Sequence, residues 1–267
     1  MSNPDQTPGN TSYREYAPPA HLQDAVVCFW QRAGSGAASG RTAILPDGCI
    51  DVIWVGEQPP FVAGPMTVAV ASDVASGVDI LGVRFRPGVA PPILGIGARE
   101  LRNQRVSCAD IWPRDVARAW ADVPARGTLD GQITALGEVI SRSNSQAQPA
   151  DDAVVRAARW MGSDPETSLA VLIQRTGLSE RQVRRRFDEA IGYGPKTLQR
   201  ILRLQRLLWL ASQPAKAPLS LGRLAFAAGY ADQPHMTREV AALAASTPGQ
   251  LLLPDRAHSA VADLFKT

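Results

Sequence analysis

Residues 168–191 read SLAVLIQRTGLSERQVRRRFDEAI, and this stretch decides the fold of the C-terminal half of the chain. Ser168 can cap a first helix, in which apolar residues recur at three- and four-residue steps, and Gly177 can end that helix. Ser179 can then cap a second helix over Glu180–Ile191. Two helices joined by a tight, glycine-containing turn are typical of a helix-turn-helix.

The second of these helices has two chemically different faces. Turned at about 100° per residue, it collects its apolar residues on one arc, namely Val183, Phe187, Ala190 and Ile191. The opposite face carries Arg181 and Arg185, and the flanks carry Gln182 and Arg184. Arginine matches the two acceptors of guanine and glutamine matches adenine, so the pattern predicts a helix that reads the major groove. An exposed arginine-rich helix that contacts nothing is the alternative.

A long helix follows and leads to a second unit of the same kind. Pro195 suits the first turn of a helix over Lys196–Ala211. Its basic edge, which we expect to contact phosphates, is formed by Lys196, Arg200 and Arg203. Gln205 falls inside the apolar arc of this helix, and the sequence does not explain it.

In the second unit, Asp232 is predicted to cap a helix that runs from Gln233 to about Leu243. Its core-facing residues are Met236, Val240 and Leu243. Arg238 and Pro234 lie on the other side with His235 beside them, and we expect His235 to face DNA instead of binding a metal.

The charge of the chain is concentrated in this half. The chain has 28 basic and 25 acidic residues, for a net charge of +3, but nine basic and only three acidic residues lie between Arg175 and Arg206. Concentrated positive charge is the electrostatic footprint of a polyanion binder. A merely solvated helical surface is the alternative interpretation.

The rest of the composition argues against several classes of protein. No apolar run reaches the ~18 residues of a membrane span, and the polar N-terminus lacks the apolar core of a secretory signal. The three cysteines, Cys28, Cys49 and Cys108, are odd in number and widely spaced, which fits a reducing cytoplasm instead of disulfides or zinc. We predict a cytoplasmic, nucleoid-associated protein with no catalytic residues, no metal site and no cofactor.

The N-terminal half has the sequence pattern of a β domain. Short β-branched or aromatic runs separated by turn residues occur at Val26–Trp30, Thr42–Leu45, Ile50–Val55, Thr67–Val70 and Ile80–Phe85. Helical patterns follow at Arg114–Ala121 and Leu129–Arg142. The fold class is therefore α+β, with an N-terminal small β-barrel or sandwich with flanking helices and a C-terminal all-α domain with two helix-turn-helix motifs.

Four segments are predicted. Residues 1–12 form a disordered tail, 13–143 a β-rich sensor or dimerisation domain, 144–151 a polar linker, and 152–267 the DNA-binding domain. The apolar stripe of Leu129–Arg142 should be buried either on the β domain or against a second chain.

The ordered pattern of the C-terminal half, over about 152–253, closely resembles the AraC-family DNA-binding domain. The matching residues are Leu172, Thr176-Gly177-Leu178-Ser179, Val183, Arg185, Phe187, Gly192, Gly194-Pro195, Leu198, Arg200, Arg203-Leu204, Leu224-Ala225, Ala228-Gly229-Tyr230, Gln233, Met236, Arg238 and Thr247-Pro248. The resemblance implies two helix-turn-helix motifs, bridged by one helix, with recognition helices in successive major-groove segments. By position, Arg181, Arg184 and Arg185 match contact positions of the first motif, and Gln233, His235 and Arg238 match those of the second.

The second motif departs from the family pattern. The family usually has aromatic residues at Met236 and Val240, basic residues at Ala241 and Ala242, glycine at Ala245 and tyrosine at Leu251. We therefore expect the first motif to dominate affinity.

The N-terminal half resembles the sensor-type domain of a poorly characterised AraC subfamily, through Pro46-Asp47-Gly48-Cys49-Ile50-Asp51 and Gly82-Val83-Arg84-Phe85-Arg86-Pro87-Gly88. Charges on apolar strands either pair with each other or face a pocket. Asp47, Asp51, Trp54 and Arg84 are therefore candidate effector-binding residues, and a purely structural Asp–Arg pair is the other reading.

The sequence predicts a one-component transcription regulator that is not an enzyme. Its expected partners are promoter DNA, a small-molecule effector, RNA polymerase and a second copy of the chain, without a membrane. Two alternatives remain: a thiol, redox or metal sensor that uses Cys49, and a DNA-alkyl-transfer enzyme, which would need a thiolate of lowered pKa.

Overall fold

The computed structural model describes residues 13–34, 42–72, 78–146, 148–164, 166–213 and 220–252. The predicted tail, 1–12, lies outside the described residues. Eight strands occur in this described part: β1 (Tyr13–Tyr16), β2 (Val26–Arg32), β3 (Thr42–Ile44), β4 (Ile50–Val55), β5 (Phe61–Ala63), β6 (Val70–Ser72), β7 (Ile80–Phe85) and β8 (Arg105–Ser107).

The strands form one open antiparallel sheet and a separate ribbon. The sheet order is β1-β2-β7-β4-β5-β8, and β3 pairs only with β6 among the described residues. In the described ranges β1 and β8 lie at opposite edges, so the sheet is not closed. The predicted β-rich domain is confirmed and a sandwich-like arrangement fits, whereas a closed barrel is wrong. The edge strands have three or four residues, too short to close the hydrogen-bond ladder of a barrel.

Twelve α-helices follow in the described ranges. Five precede residue 147: α1 (Ala90–Leu94), α2 (Ala98–Leu101), α3 (Cys108–Ile111), α4 (Arg114–Ala121) and α5 (Leu129–Gln146). Seven make up the C-terminal part: α6 (Asp152–Ser163), α7 (Leu169–Thr176), α8 (Glu180–Ile191), α9 (Pro195–Ser212), α10 (Leu221–Ala227), α11 (Gln233–Ala244) and α12 (Pro248–Leu251). The predicted all-α C-terminal domain is confirmed.

The apolar stripe of α5 is buried within its own part of the chain. Leu136 and Ile140 have no exposed surface and join the core formed by the sheet, α1 and Trp120 of α4, while Ile133 is partly buried against the same core. This stripe therefore has its burial partner in the same chain.

Two element boundaries differ from the sequence prediction. α5 runs to Gln146, into the segment predicted as the linker 144–151, because no proline or glycine occurs between Arg142 and Pro149. The strand predicted at Thr67–Val70 begins only at Val70. The backbone N–H groups before it are used elsewhere, since that of Thr67 donates to Asn103 Oδ1.

Candidate nucleic-acid interface

The first helix-turn-helix is built by its end residues. The Ser168 hydroxyl accepts a hydrogen bond from the Val171 N–H at 3.3 Å and starts α7. Gly177 ends α7 with a φ of 68°, in the left-handed region that glycine adopts without strain. Ser179 and Gln182 then form a capping box at the start of α8, with the Gln182 side-chain oxygen 2.9 Å from the Ser179 N–H. The predicted start and end signals of both helices are confirmed.

The two faces of α8 lie as the helical pattern predicts. Its buried residues are Val183, Phe187, Ala190 and Ile191. Arg181, Gln182, Arg184 and Arg185 are exposed. Arg184 pairs with Glu180, its neighbour one turn earlier, at 2.7 Å, and the oxygen of Gln182 serves the capping box. Arg181 and Arg185 have no partner among the described residues.

The linking helix α9 contacts the second motif through its basic edge. Lys196 is exposed in its first turn. Further along, the Arg203 Nη2 donates to both oxygens of Glu239, at 2.9 and 3.1 Å, and the Arg200 Nε donates to Glu239 Oε1 at 3.1 Å. The Arg206 Nε donates to the carbonyl oxygen of Ala227 at 3.1 Å.

Arg200 and Arg203, which the sequence predicts to contact phosphates, therefore have a partner within the protein. The Arg203 side chain is only 12% exposed, because Glu239 holds it and the Tyr230 ring covers it at 5.5 Å. Arg200 is 30% exposed but is bound to the same carboxylate. Glu239 could not be predicted as their partner from a local pattern, because it lies 36 and 39 residues away from them along the chain.

The second motif has the predicted caps and core. The Asp232 carboxylate accepts from the His235 N–H at 2.6 Å, and Met236, Val240 and Leu243 are buried. Gln233 and Arg238 are exposed. His235 is not simply DNA-facing: its Nδ1 accepts from the Ala231 N–H at 3.2 Å, and its Nε2 lies 3.4 Å from Glu239 Oε1. Both ring nitrogens therefore have partners within the protein.

The candidate effector residues lie in a buried ion-pair network. The Arg84 guanidinium binds Asp51 at 3.1 Å and Asp47 at 3.3 Å, and Asp51 also accepts from the Trp30 Nε1 at 3.0 Å. Burial raises the pKa of Asp51 to about 6, against the lowering effect of Arg84. Trp54 is buried against Trp120 and donates to its carbonyl oxygen. The structure therefore has the Asp–Arg pair that was one of the two readings.

The cysteines do not have the properties of reactive thiols. All three are buried thiols that form no disulfide. Burial, with the neighbouring Asp47 carboxylate, raises the pKa of the Cys49 thiol well above its usual range, and burial raises the pKa of Cys108 to about 12. Because the thiolate is the reactive form, the Cys49 sensor and the alkyl-transfer reading have no support. Among the described residues, no three His, Cys, Asp or Glu side chains lie close enough to hold a metal ion.

The N-terminal part contacts both recognition helices, α8 and α11. The Arg102 Nη1 donates to the Gly192 carbonyl oxygen and to Asp188 at the end of α8. The Ala69 N–H donates to the Leu243 carbonyl oxygen of α11 at 2.7 Å. The sequence does not predict these contacts, because they join residues that lie 86 or more positions apart.

Gln205 belongs to the same set of contacts. It is 1% exposed, and its Nε2 donates to the carbonyl oxygen of Pro46 at 2.8 Å. The position that the sequence could not explain is thus a contact between α9 and the loop before β4.

A groove of about 320 Å³ also lies between the two parts, and Gly88, Pro91, Pro92, Gly95, Ile96, Gly97, Asp151, Glu189 and Ala190 line it. None of the helices in the described ranges is both long and apolar enough to cross a membrane.

Comparisons with known proteins agree with this geometry. A family described as a helix-turn-helix domain matches residues 172–253, and a domain of unknown function, DUF6597, matches residues 14–107. No curated protein matches the chain.

Solved structures of ToxT from Vibrio cholerae are similar at a low level. An apo variant from strain SCE256 is 11% identical and covers 91% of this chain and 98% of its own, with a TM-score of 0.46. A structure from strain O395 is 10% identical and covers 92% and 98%, and the unsaturated fatty acid-bound wild type is 11% identical and covers 92% and 97%, both with a TM-score of 0.46. These values are too low to decide fold or function.

The two capped helix pairs are α7–α8 and α10–α11. The region that the helix-turn-helix family matches, 172–253, begins inside α7 and includes the other three helices. Residues 172–253 of this chain are therefore a helix-turn-helix domain of the AraC type, and the chain is a DNA-binding transcription regulator.

Proposed function

We propose that α8 reads base edges in the major groove and gives this regulator most of its sequence specificity. The observation that carries the proposal is the pair Arg181 and Arg185. Both guanidiniums are exposed, opposite the buried face of α8, and neither has a partner within the described part of the protein. A bidentate arginine–guanine contact is the commonest specific contact to DNA.

The second motif contributes less to specificity. Arg238 and Gln233 are its exposed donors, while Ala241 and Ala242 offer none. His235 is occupied by Ala231 and Glu239. We therefore propose an operator whose half under the first motif is more tightly defined.

The phosphate contacts are proposed to come from the exposed Arg184 and Lys196. Arg200 and Arg203 contribute less to them, because the one carboxylate of Glu239 binds both guanidiniums. Each phosphate neutralised adds about 0.9 to the slope of log affinity against log salt, so the salt dependence should be weaker than the basic residue count suggests.

Binding-site selection from a random duplex library tests the base contacts, with the wild type, Arg185→Ala and Arg238→Ala. We expect Arg185→Ala to relax one well-defined position and to lose about 1–3 kcal/mol on the selected site. Arg238→Ala should relax a position in the weaker half. A wild-type sequence preference that survives Arg185→Ala unchanged would contradict the assignment of α8.

We propose that the N-terminal part controls the orientation of the two motifs. Its contacts with Asp188, Gln205 and Leu243 support this role, because each touches a different helix of the DNA-binding part. A small-molecule effector would then act where the parts meet, and the groove of about 320 Å³ has the size of a small-ligand site. Asp47, Asp51, Trp54 and Arg84 are proposed to support the sheet domain structurally.

The other partners follow from this role. A transcription regulator acts at promoters, so we propose RNA polymerase as a partner. Because its DNA target is the nucleoid, we propose that the protein is cytoplasmic and nucleoid-associated. We propose no enzymatic activity for it. A homodimer would need a surface other than the stripe of α5, which is buried in its own core. Sedimentation of the full chain at several concentrations tests the homodimer, and a monomer throughout would exclude it.

A further inference from the structure

A single carboxylate joins the linking helix to the second recognition helix. Glu239 lies on α11 with its side chain 13% exposed. It accepts two hydrogen bonds from the Nη2 of Arg203 and one from the Nε of Arg200, all between 2.9 and 3.1 Å. Hydrogen bonds between ions are about twice as strong as neutral ones and are directional.

The surrounding contacts make this a closed network. The His235 Nε2 lies 3.4 Å from the same carboxylate, and the Arg203 guanidinium stacks over Tyr230 at 5.5 Å. Tyr230 lies in the turn between α10 and α11, so the network involves both helices of the second motif. The guanidiniums belong to α9, which also leads from the first motif.

Apolar packing alone does not fix the angle between α9 and α11. Met236, Val240 and Leu243 bury the inner face of α11, but hydrophobic burial is non-directional and tolerates small sliding and rotation. The ion pairs of Glu239 with two arginines almost one turn apart have fixed geometry, and so they define how α11 lies along α9.

From this geometry we infer that Glu239 is a positioning residue, which fixes the second recognition helix relative to the first and so sets the spacing of the two DNA segments that the regulator reads. The inference rests on DNA binding through both motifs. Exposed neighbours on α11, such as Arg238, contact the DNA, whereas Glu239 acts through Arg200 and Arg203.

The test uses the full-length chain and the duplex chosen by binding-site selection with the wild type. Two further duplexes carry one base pair more, or one fewer, between the two selected segments. An added or removed base pair puts one of the two segments out of register with its motif, so we expect the wild type to bind both altered duplexes about tenfold or more weakly. Glu239→Gln keeps the shape but loses the charge, and we expect this penalty to fall to about threefold or less.

Arg238→Ala is the matched control on the same helix. It should weaken binding to all three duplexes by a similar factor and keep the tenfold penalty. If Glu239→Gln keeps the wild-type penalty, the inference is wrong. The same holds if it only raises affinity for all three duplexes and steepens the salt dependence, because Glu239 would then merely neutralise charge.

A second variant keeps the inference testable if Glu239→Gln does not fold. Arg200→Ala removes the more exposed guanidinium and leaves the Arg203 pair in place, so its circular dichroism spectrum should match the wild type. We expect a penalty between those of the wild type and Glu239→Gln, and an unchanged penalty in folded Arg200→Ala overturns the inference. A wild type that selects no sequence would instead refute the DNA-binding function itself.

Discussion

Ala245 ends α11 with a φ of 49°, where the family usually has glycine. The left-handed region costs an L-residue about 1–2 kcal/mol, and Ala245 is exposed, so glycine would relieve strain without losing a contact. We expect Ala245→Gly to raise the free energy of unfolding by about 0.5–1 kcal/mol, measured by urea denaturation. Ala242→Gly, at an exposed position inside the same helix, is the control and should lower it by a similar amount; equal effects of both changes would contradict the prediction.

Asp51 should make stability depend on pH. Burial raises its pKa from 3.8 to about 6 in the folded protein, so the folded state holds this proton more tightly than the unfolded chain does. Its contribution to stability is complete below about pH 4 and is lost as the pH rises through about 6. We expect Asp51→Asn to flatten the curve of unfolding free energy over this interval.

Denaturation of the wild type and Asp51→Asn at a series of pH values measures that difference. Asp122→Asn, at the exposed end of α4, is the control and should leave the curve almost unchanged. An equal slope in the wild type and Asp51→Asn would show that Asp51 does not titrate there.

At the residue scale, the sequence could assign faces but not distant partners. The helical repeat placed Arg185 on the exposed side and Phe187 in the core, as the structure has them. It also placed Arg203 on a basic edge, but the carboxylate that occupies Arg203 belongs to another helix. A local repeat carries no information about side chains brought together by tertiary folding.

Capping boxes start both α8 and α12. The effect of the α8 cap on DNA binding can therefore be separated from the effect of a cap on stability. Removing a serine or threonine cap costs about 0.5–2 kcal/mol, so Ser179→Ala and Thr247→Ala should each lower the free energy of unfolding by this amount. Only Ser179→Ala should also weaken DNA binding, because its capping box orders Gln182 and the first turn of α8, which contains Arg181. Denaturation and anisotropy titrations measure the two effects, and equal losses of DNA affinity in both variants would contradict the separation.

At the scale of elements, strong local signals were sufficient for the helices of the first motif and for α9, whereas α1, α2, α3 and α6 were not predicted as elements. Serine caps and terminal glycine predicted the bounds of α7 and α8, and proline predicted the start of α9 within one residue. The strands β1, β5 and β8 were missed. They have only three or four residues, and sheet pairing with distant strands, not local pattern, defines them.

At the scale of the molecule, the two parts meet through backbone as well as side chains. Gly192 has a φ of 93°, and a Cβ there would lie 2.8 Å from the Ala98 carbonyl oxygen and 2.7 Å from Pro65. The end of α8 therefore approaches α2 more closely than any other residue type would allow. Such an approach, together with the buried contact of Gln205 with Pro46, is expected to make the two parts unfold together.

Gln205→Leu should weaken that coupling. Leucine suits the apolar arc of α9 but leaves the Pro46 carbonyl oxygen without its donor, and an unsatisfied buried acceptor costs about 1–3 kcal/mol. Because this loss falls on the contact between the parts, calorimetry should show one unfolding transition for the wild type and a broadened or split one for Gln205→Leu. Gln199→Leu is the matched control, since the Gln199 Nε2 donates to the Thr167 carbonyl oxygen within the C-terminal part. It should lower Tm and keep a single transition. Two separate transitions in the wild type would mean that the N-terminal part is only tethered to the DNA-binding part, and control of the motifs through these contacts would have to be abandoned.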